Sequence, residues 1–564
     1  MRAVDELEVS FPEIDRLKLE PLATPLDRLK LRKLLIIVIA VIAGFGARVY
    51  RLDAAGFAED EANKVFATRS YEQGDFTANA EHPMLMKLLC YGTLHAAGGW
   101  NRSFGGALRM QVSDETALRL PNAVFGALTV VPLFLLTSAL LGFRVGAITS
   151  VLWALGLDAI WFNRIAKEDT LLVFFEFMGF YLYYRAKQLP ASDETGQERL
   201  YALAGAAFGF MVASKYFPHY IGLNALFYTI VGYDSRNNRP LTRTMWLKFF
   251  GGMLLAFTII NPAMFFPQTW RYIWKYVNEE LLTHHGYLVM DKLYVNDFLQ
   301  TPGGTPWYLY PLFILVKLPL PVLAAFAVGL VEIVRRRRGH PHARGYTFLK
   351  FMLFCWFLPE LLIGVKFLRY TLTLLPLVYM SSALGIVVMW DAVAAQLRKI
   401  ATGQVARVSA ATIVIAAFVI VPSALTVKLL LNSHPSLYVN LLGRGRVGYF
   451  FPHDEFYDLG ARESIRFVAE TAPQGATLAS EIPGVVEYYL ERFYRPDIRS
   501  HIISQPSFSL SQEPPDFVLL QRGRVYFENL KNFEFIEKNF APVQSSVYEG
   551  APAATVYSTG NSLR

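Results

Sequence analysis

The sequence predicts an α-helical polytopic membrane protein of about eleven transmembrane helices, followed by an extracytoplasmic α/β domain. Three observations carry that prediction. Apolar residues make up 53% of the 564 positions and charged residues 18%, with a mean hydropathy of +0.30. The apolar residues are gathered into runs of the length that crosses a bilayer core. After residue 431 the pattern changes to short alternations typical of a soluble domain. Together these exclude a soluble enzyme and a disordered chain. Two cysteines, Cys90 and Cys355, make no disulfide framework. The net charge of +8 sits mostly in short loops between apolar runs, so it reports membrane topology and not nucleic-acid binding.

Residues 1–33 read as a cytoplasmic segment, and the first span, 34–47, lacks a small-residue cleavage site and is retained. Further spans fall at 121–141, 145–162, 170–184, 200–214, 220–233, 246–260, 307–334, 348–365, 370–390 and 409–431. Lys and Arg set the orientation. Arg28, Lys30, Arg32 and Lys33 precede the first span; Arg236, Arg239 and Arg243 share a loop; arginines occupy 335–338; Arg398, Lys399 and Arg407 fill another loop. Alternation from a cytoplasmic N-terminus puts all of them inside and the C-terminus outside. The membrane domain, 34–431, then has two long outer loops.

The first outer loop, 50–119, holds amphipathic stretches at 61–71 and 84–97, expected as helices along the interface. The second, 262–306, is dense in aromatics suited to the headgroup level, among them Trp270, Tyr272, Trp274, Tyr287 and Tyr294. The outer domain, 432–564, predicts a helix over 454–471, a strand over 476–482, a helix over 484–494, and strands over 517–521 and 553–558. It is long enough for a core of its own.

Chemistry-bearing residues gather at outer junctions. Asp60 and Glu61 follow the first span in Gly-Phe-Ala-Glu-Asp-Glu-Ala; they read either as a helix cap and first turn or as a functional pair. Arg164, Lys167, Glu168 and Asp169 crowd one narrow junction. A local Arg164–Asp169 ion pair and an acid and a base facing one site are the two readings there. Lys215 either snorkels or binds a phosphate as a point charge. Arg369 is a cation where the positive-inside tendency predicts none, which points to an anionic partner. Glu81, His82, His284 and His285 are candidates for an acceptor or polar site or for a divalent metal, although no His or Cys spacing typical of a metal site is present. Walker, dinucleotide and Gly-x-Ser-x-Gly patterns are missing, which disfavours nucleotide-driven transport and serine hydrolysis.

These motifs in this order resemble the GT-C fold glycosyltransferases, most of all the protein O-mannosyltransferases of glycosyltransferase family 39 and the aminoarabinose transferases of lipid A. The resemblance rests on Asp60-Glu61 in the first outer loop, Glu81-His82-Pro83, Arg164 to Asp169 before a Phe-rich span, Ser214-Lys215-Tyr216, His284-His285-Gly286-Tyr287, Thr305-Pro306-Trp307-Tyr308 and Arg369-Tyr370. It covers roughly the membrane portion. The chain carries His82 where the aminoarabinose transferases carry a Lys, and an α/β tail instead of a β-trefoil insertion.

The resemblance implies transfer of a sugar, mannose or another hexose, from a polyprenyl-phosphate sugar to a hydroxyl of a lipid, glycan or protein on the outer face, with inversion. It implies Asp60 as base, Asp169 as second acid and Glu61 as an orienting group. Arg164, Lys215, Arg369 and Lys167 would hold the donor phosphate. It requires no cofactor, leaves a divalent metal open, and implies an inner-membrane protein whose outer domain is periplasmic, working among membrane lipids and without nucleic acid. A lipid-sugar flippase would show symmetry between halves. A non-catalytic assembly subunit would not need Asp60.

Overall fold

The computed structural model describes residues 25–231, 240–280, 286–335, 340–510 and 514–560. Each of the eleven apolar runs falls on helix there; the end of the sixth, together with Arg236, Arg239 and positions 336–338, lies outside the described residues. Five described helices are long and apolar enough to cross a bilayer: Asp114–Leu141, Arg243–Ile260, Ala343–Leu362, Leu375–Leu397 and Gly403–Asn432. The chain is a polytopic membrane protein with a small sheet near its C-terminus.

Two expected spans are broken. Residues 145–162 divide into Phe143–Ala154 and Leu157–Phe162. Residues 307–334 divide into Leu309–Lys317 and Leu320–Val334, where Pro319 cannot donate to the ladder. Another begins earlier than hydropathy predicts. The helix expected from 121 starts at Asp114, where Ser113 accepts the Thr116 N–H and Asp114 and Glu115 favour the dipole. Its polar first turns face protein and not lipid, so hydropathy does not register them.

Small residues let helices approach closely. Gly205 and Gly209, four apart on Glu194–Ser214, face Arg243–Ile260; a Cβ on Gly205 would lie 1.9 Å from the Phe249 carbonyl oxygen.

The outer helices form as expected, at Glu59–Glu72 and Met84–Trp100. The second outer segment also carries a hairpin, β1 (Tyr287–Val289) and β2 (Lys292–Tyr294), too short to read from alternation. The tail holds a five-stranded sheet built from β3 (Thr477–Ser480), β4 (Arg499–Ile502), β5 (Phe517–Gln521), β6 (Pro542–Tyr548) and β7 (Ala551–Ser558), in the order β4-β3-β5-β7-β6. β3 pairs parallel with β4 and β5, while β7 pairs antiparallel with β5 and β6. Central β5 is buried at every position, matching its unbroken apolar run. β4, β6 and the helix Leu530–Asn539 were not expected; exposed polar residues mask their periodicity.

The helix expected over 454–471 is two, Pro452–Phe456 and Ala461–Thr471. Between them Tyr457 (φ 33°), Asp458 (φ 65°) and Gly460 (φ 81°) are left-handed, a region costly for the two non-glycine residues. This turn brings the tail to the membrane domain. The tail's apolar face joins the first outer segment in one core, with Phe57, Met86 and Leu118 beside Ile465, Val485 and Tyr489. Polar contacts fix the docking. The Tyr489 hydroxyl donates to Glu115 Oε1 at 2.9 Å and accepts the Phe57 N–H at 2.7 Å, and Tyr488 donates to Asp114 at 2.6 Å.

Candidate active site

The site is organised by the first turn of helix Glu59–Glu72, where three consecutive acids point to three partners. Acids there suit the helix dipole. Asp60 is not the cap; Ala58 holds that position, and Glu61 accepts its N–H at 3.0 Å. Glu61 also binds Arg119 through both oxygens, at 2.8 and 2.6 Å, and accepts the Ala166 N–H at 2.9 Å. It is 1% exposed, so its carboxylate is wholly committed to joining three segments. Glu59 faces the tail, 2.7 Å from Arg524.

Asp60 faces three residues that line a cleft, Lys167, Arg369 and Tyr457. Its Oδ2 lies 2.9 Å from Lys167 Nζ and 3.8 Å from Arg369 Nη1, and it accepts a hydrogen bond from the Tyr457 hydroxyl. Burial opposes its charge, but Lys167, Arg369, Lys64 and the Tyr457 bond outweigh that and hold its carboxyl well below the usual range. The side chain keeps 29% of its exposure.

Residues 163–168 form a rigid connection between helices. Asn122 donates to the carbonyls of Ile165 and Lys167 at 2.5 and 2.7 Å, and Asn163 accepts from Arg48 at 2.9 Å. Lys167 is thereby aimed at Asp60. Glu168 lies 2.9 Å from Lys64, each 1% exposed, and 3.7 Å from Lys167. Asp169 opens the next helix and pairs with Lys215 at 2.6 Å, so the local Arg164–Asp169 pair does not form. Asp169 Oδ2 has no hydrogen-bond partner among the described residues. Lys215 also lies 4.6 and 4.5 Å from the ring centroids of Phe217 and Tyr370, and Arg369 stacks 4.2 Å over Phe367.

Arg164 departs from the expected cluster. Its guanidinium donates to the carbonyls of Tyr50 and Arg51 at 2.7 and 2.8 Å, closing the C-terminal end of the first helix, where a cation is electrostatically favoured. His82 lies beside the cluster. Burial pushes it down to about 3, with Lys167 and Lys64 adding to the effect against Glu168 and Asp60, so it is neutral at physiological pH. Lys87 fixes that loop by donating to the carbonyls of Asn79 and His82. Burial raises the Glu81 carboxyl, which accepts from Asn79. His284 and His285 lie outside the described residues. Among the described residues no group of three His, Cys, Asp or Glu side chains is placed to hold a metal ion.

A cleft of about 340 Å³ opens on this cluster. Lys167, Asp169, Arg369 and Tyr457 meet apolar walls from Trp161, Phe162 and Leu372 in it.

Residues 98–266 match the family described as dolichyl-phosphate-mannose-protein mannosyltransferase. That stretch includes Arg119, Lys167, Asp169 and Lys215, and excludes Asp60, Arg369 and Tyr457. Among solved structures, ArnT from Cupriavidus metallidurans in the apo state aligns with a TM-score of 0.50 at 14% identity, over 94% of this chain and 98% of that one. ArnT from the same organism bound to undecaprenyl phosphate gives 0.47 at 14% identity, over 93% and 97%. The Archaeoglobus fulgidus oligosaccharyltransferase in the apo form gives 0.48 at 12% identity, over 87% and 70%. No curated protein matches the chain.

The chain shares the fold of ArnT, the GT-C fold.

On this GT-C scaffold the structure brings together Asp60, Lys167, Asp169, Lys215 and Arg369, with His82 at the margin. It sets Glu61 and Arg164 into structural contacts. Three contributors were missed, Lys64, Arg119 and Tyr457, and Glu168 was named at its junction without a role. Lys64 had a local signal, since it is one turn from Asp60 on the same helix face. Arg119 and Tyr457 meet their partners across 58 and 397 positions. Nothing local marks such pairs. Chemically, the cleft offers an ionised carboxylate beside a row of cations, at the edge of an apolar wall. That arrangement can take a proton at Asp60 while stabilising an anion a few ångströms away.

Proposed function

We propose that this protein transfers a sugar, mannose or another hexose, from a polyprenyl-phosphate sugar to an acceptor hydroxyl on the outer face of the membrane. The observation that carries the reading is the Asp60 carboxylate held against Lys167 and Arg369, two cations that line a cleft with apolar walls. The family name matched by residues 98–266 supports a polyprenyl-phosphate sugar donor. The reading places the N-terminus in the cytoplasm and the domain at 432–564 outside, in the periplasm, so that the cleft faces the acceptor.

The donor phosphodiester carries one negative charge and the departing polyprenyl phosphate carries two. Cations are therefore worth more in the transition state than in the ground state. Lys167 and Arg369 are the nearest, with Lys215 beside them. The acceptor oxygen attacks the anomeric carbon opposite the phosphate, the carbon–oxygen bond to phosphate breaks, and configuration inverts. Asp60 takes the hydroxyl proton. Donor binding prepares this base. Its phosphate competes with Asp60 for Lys167 and Arg369, and a carboxylate relieved of its cations is a stronger proton acceptor. Donor therefore binds before acceptor reacts. Asp169 holds Lys215 in place, and Glu81 and neutral His82 border the acceptor side.

The test supplies purified protein with radiolabelled polyprenyl-phosphate mannose, and a second hexose in parallel, with membrane extract as acceptor. Label must enter product with the wild type and not with Asp60→Asn. Donor binding without transfer by folded wild-type protein, accompanied by donor movement across vesicles, would replace the transferase with a flippase.

A further inference from the structure

The shortest approaches of Lys167 (2.9 Å) and Arg369 (3.8 Å) to the Asp60 carboxylate, and the Tyr457 hydroxyl bond, all fall on one oxygen, Oδ2. Oδ1 is the less engaged oxygen. The two cations are the groups a donor phosphate would draw away. Tyr457 alone of the three is uncharged and has no reason to leave.

The chain spends structure on placing this tyrosine. Tyr457 is left-handed (φ 33°), a conformation unfavourable for a non-glycine residue. The adjacent residue anchors it. Asp458 accepts two bonds from Arg524, at 2.8 and 2.5 Å, one from Gln521 at 2.8 Å, and the Glu59 N–H at 2.9 Å. Two consecutive tail residues thus grip two consecutive residues of the helix: Asp458 takes the amide of Glu59, and Tyr457 takes the carboxylate of Asp60. Burial, and then the negative charge of Asp60, keep the phenol protonated and able to donate.

We propose that Tyr457 is a positioning residue that fixes the rotamer of Asp60 and presents Oδ1 to the acceptor, so that the C-terminal domain completes the reacting centre. This rests on the sugar-transfer reading above.

The test is Tyr457→Phe in the full-length protein, assayed with polyprenyl-phosphate mannose and membrane extract. A hydrogen bond to a charged group predicts a kcat lowered roughly ten- to a hundredfold, with donor KM and the unfolding temperature unchanged. The acid limb of the kcat profile moves to higher pH, because the lost bond favoured the ionised carboxylate. The other groups facing Asp60, namely Glu59, Lys64, Lys167, Tyr276, Arg369 and neutral His82, are the same in both proteins. Incorporating 3-fluorotyrosine at 457, a stronger donor of the same shape, moves that limb to lower pH, and it serves where the Phe variant folds poorly. Wild-type kcat and an unmoved limb in Tyr457→Phe, beside active wild type, overturn the positioning role and leave the transferase standing. A loss of activity that only tracks loss of folded protein, with the limb unmoved, overturns it as well. Wild type that binds donor and transfers nothing removes the transferase reading, and this inference with it.

Discussion

Glu61 and Asp60 are neighbours in sequence with opposite expected phenotypes. The Glu61 carboxylate accepts four hydrogen bonds, two from Arg119 and one each from the amides of Ala58 and Ala166. Glu61→Gln keeps the shape and removes the charge, which leaves Arg119 buried, at 5% exposure, without its counter-ion. Breaking a buried pair by removing one partner costs about 3–5 kcal/mol. The amide NH₂ must also point at two donors, since each Glu61 oxygen accepts one bond from Arg119 and one from a backbone amide, which adds about 1–3 kcal/mol for each unsatisfied group. Glu61→Gln should therefore lower the thermal unfolding temperature in detergent markedly, while the surviving folded fraction turns over at a rate within about tenfold of wild type, a factor of 1.4 kcal/mol. Arg119→Met should destabilise comparably. The double variant should be less destabilised than the sum of the singles, because its cavity no longer holds a lone charge. Asp60→Asn should abolish turnover in protein that still folds, with an unfolding temperature lowered less than in Glu61→Gln, since Asp60 keeps 29% of its exposure. Thermal unfolding followed by size-exclusion fluorescence, paired with transfer assays on the folded peak, reads all four. An unchanged unfolding temperature in Glu61→Gln, with turnover lost as completely as in Asp60→Asn, would refute the structural assignment and make Glu61 a chemical participant.

Other consequences follow from the same geometry. Lys167→Gln removes the cation that most lowers Asp60, so the acid limb of kcat/KM should rise in pH; an unmoved limb would detach Lys167 from Asp60. The folded Asp60 carboxyl lies below its unfolded value of about 3.9, so its stabilisation is complete above that value and disappears as pH falls through the lower folded one; Asp60→Asn should flatten this acid-side loss in unfolding temperature. Lys215→Met should raise the donor KM and leave donor-independent stability lowered by the unpaired Asp169; unchanged donor affinity would remove Lys215 from the phosphate site. Gly205→Ala forces a Cβ to within 1.9 Å of a carbonyl oxygen, and overpacking of that kind costs about 1–3 kcal/mol; wild-type unfolding would show that the two helices can part without penalty.

What could be read from sequence follows the physics of each signal. Ionisable residues at the outer ends of apolar runs stand out, because a charge beside a membrane needs a reason. Asp60, Lys167, Lys215 and Arg369 are all visible that way. The same signal misplaces Arg164, since closing the carbonyls at the end of the first helix is as good a reason as binding phosphate. Hydropathy locates the helices by their lipid-facing surface and fails where a helix turns a polar face to protein, as at Asp114–Arg119. Periodicity carried 454–471 through as one helix, because Tyr457 and Asp458 are ordinary helix residues by composition. Their left-handed turn is set by partners at Glu59, Asp60 and Arg524, far away in the chain. The docking of the tail, and the tyrosine it delivers, could not be seen locally for that reason.

The central claim is that Asp60 accepts the acceptor's proton while Lys167 and Arg369 hold the departing phosphate. Its most direct measurement is single-turnover transfer from radiolabelled polyprenyl-phosphate mannose by wild type and Asp60→Asn, each reconstituted in lipid and matched for folding and donor binding. The account predicts labelled acceptor with wild type, and donor bound but untransferred with Asp60→Asn. Equal transfer by both proteins would contradict it.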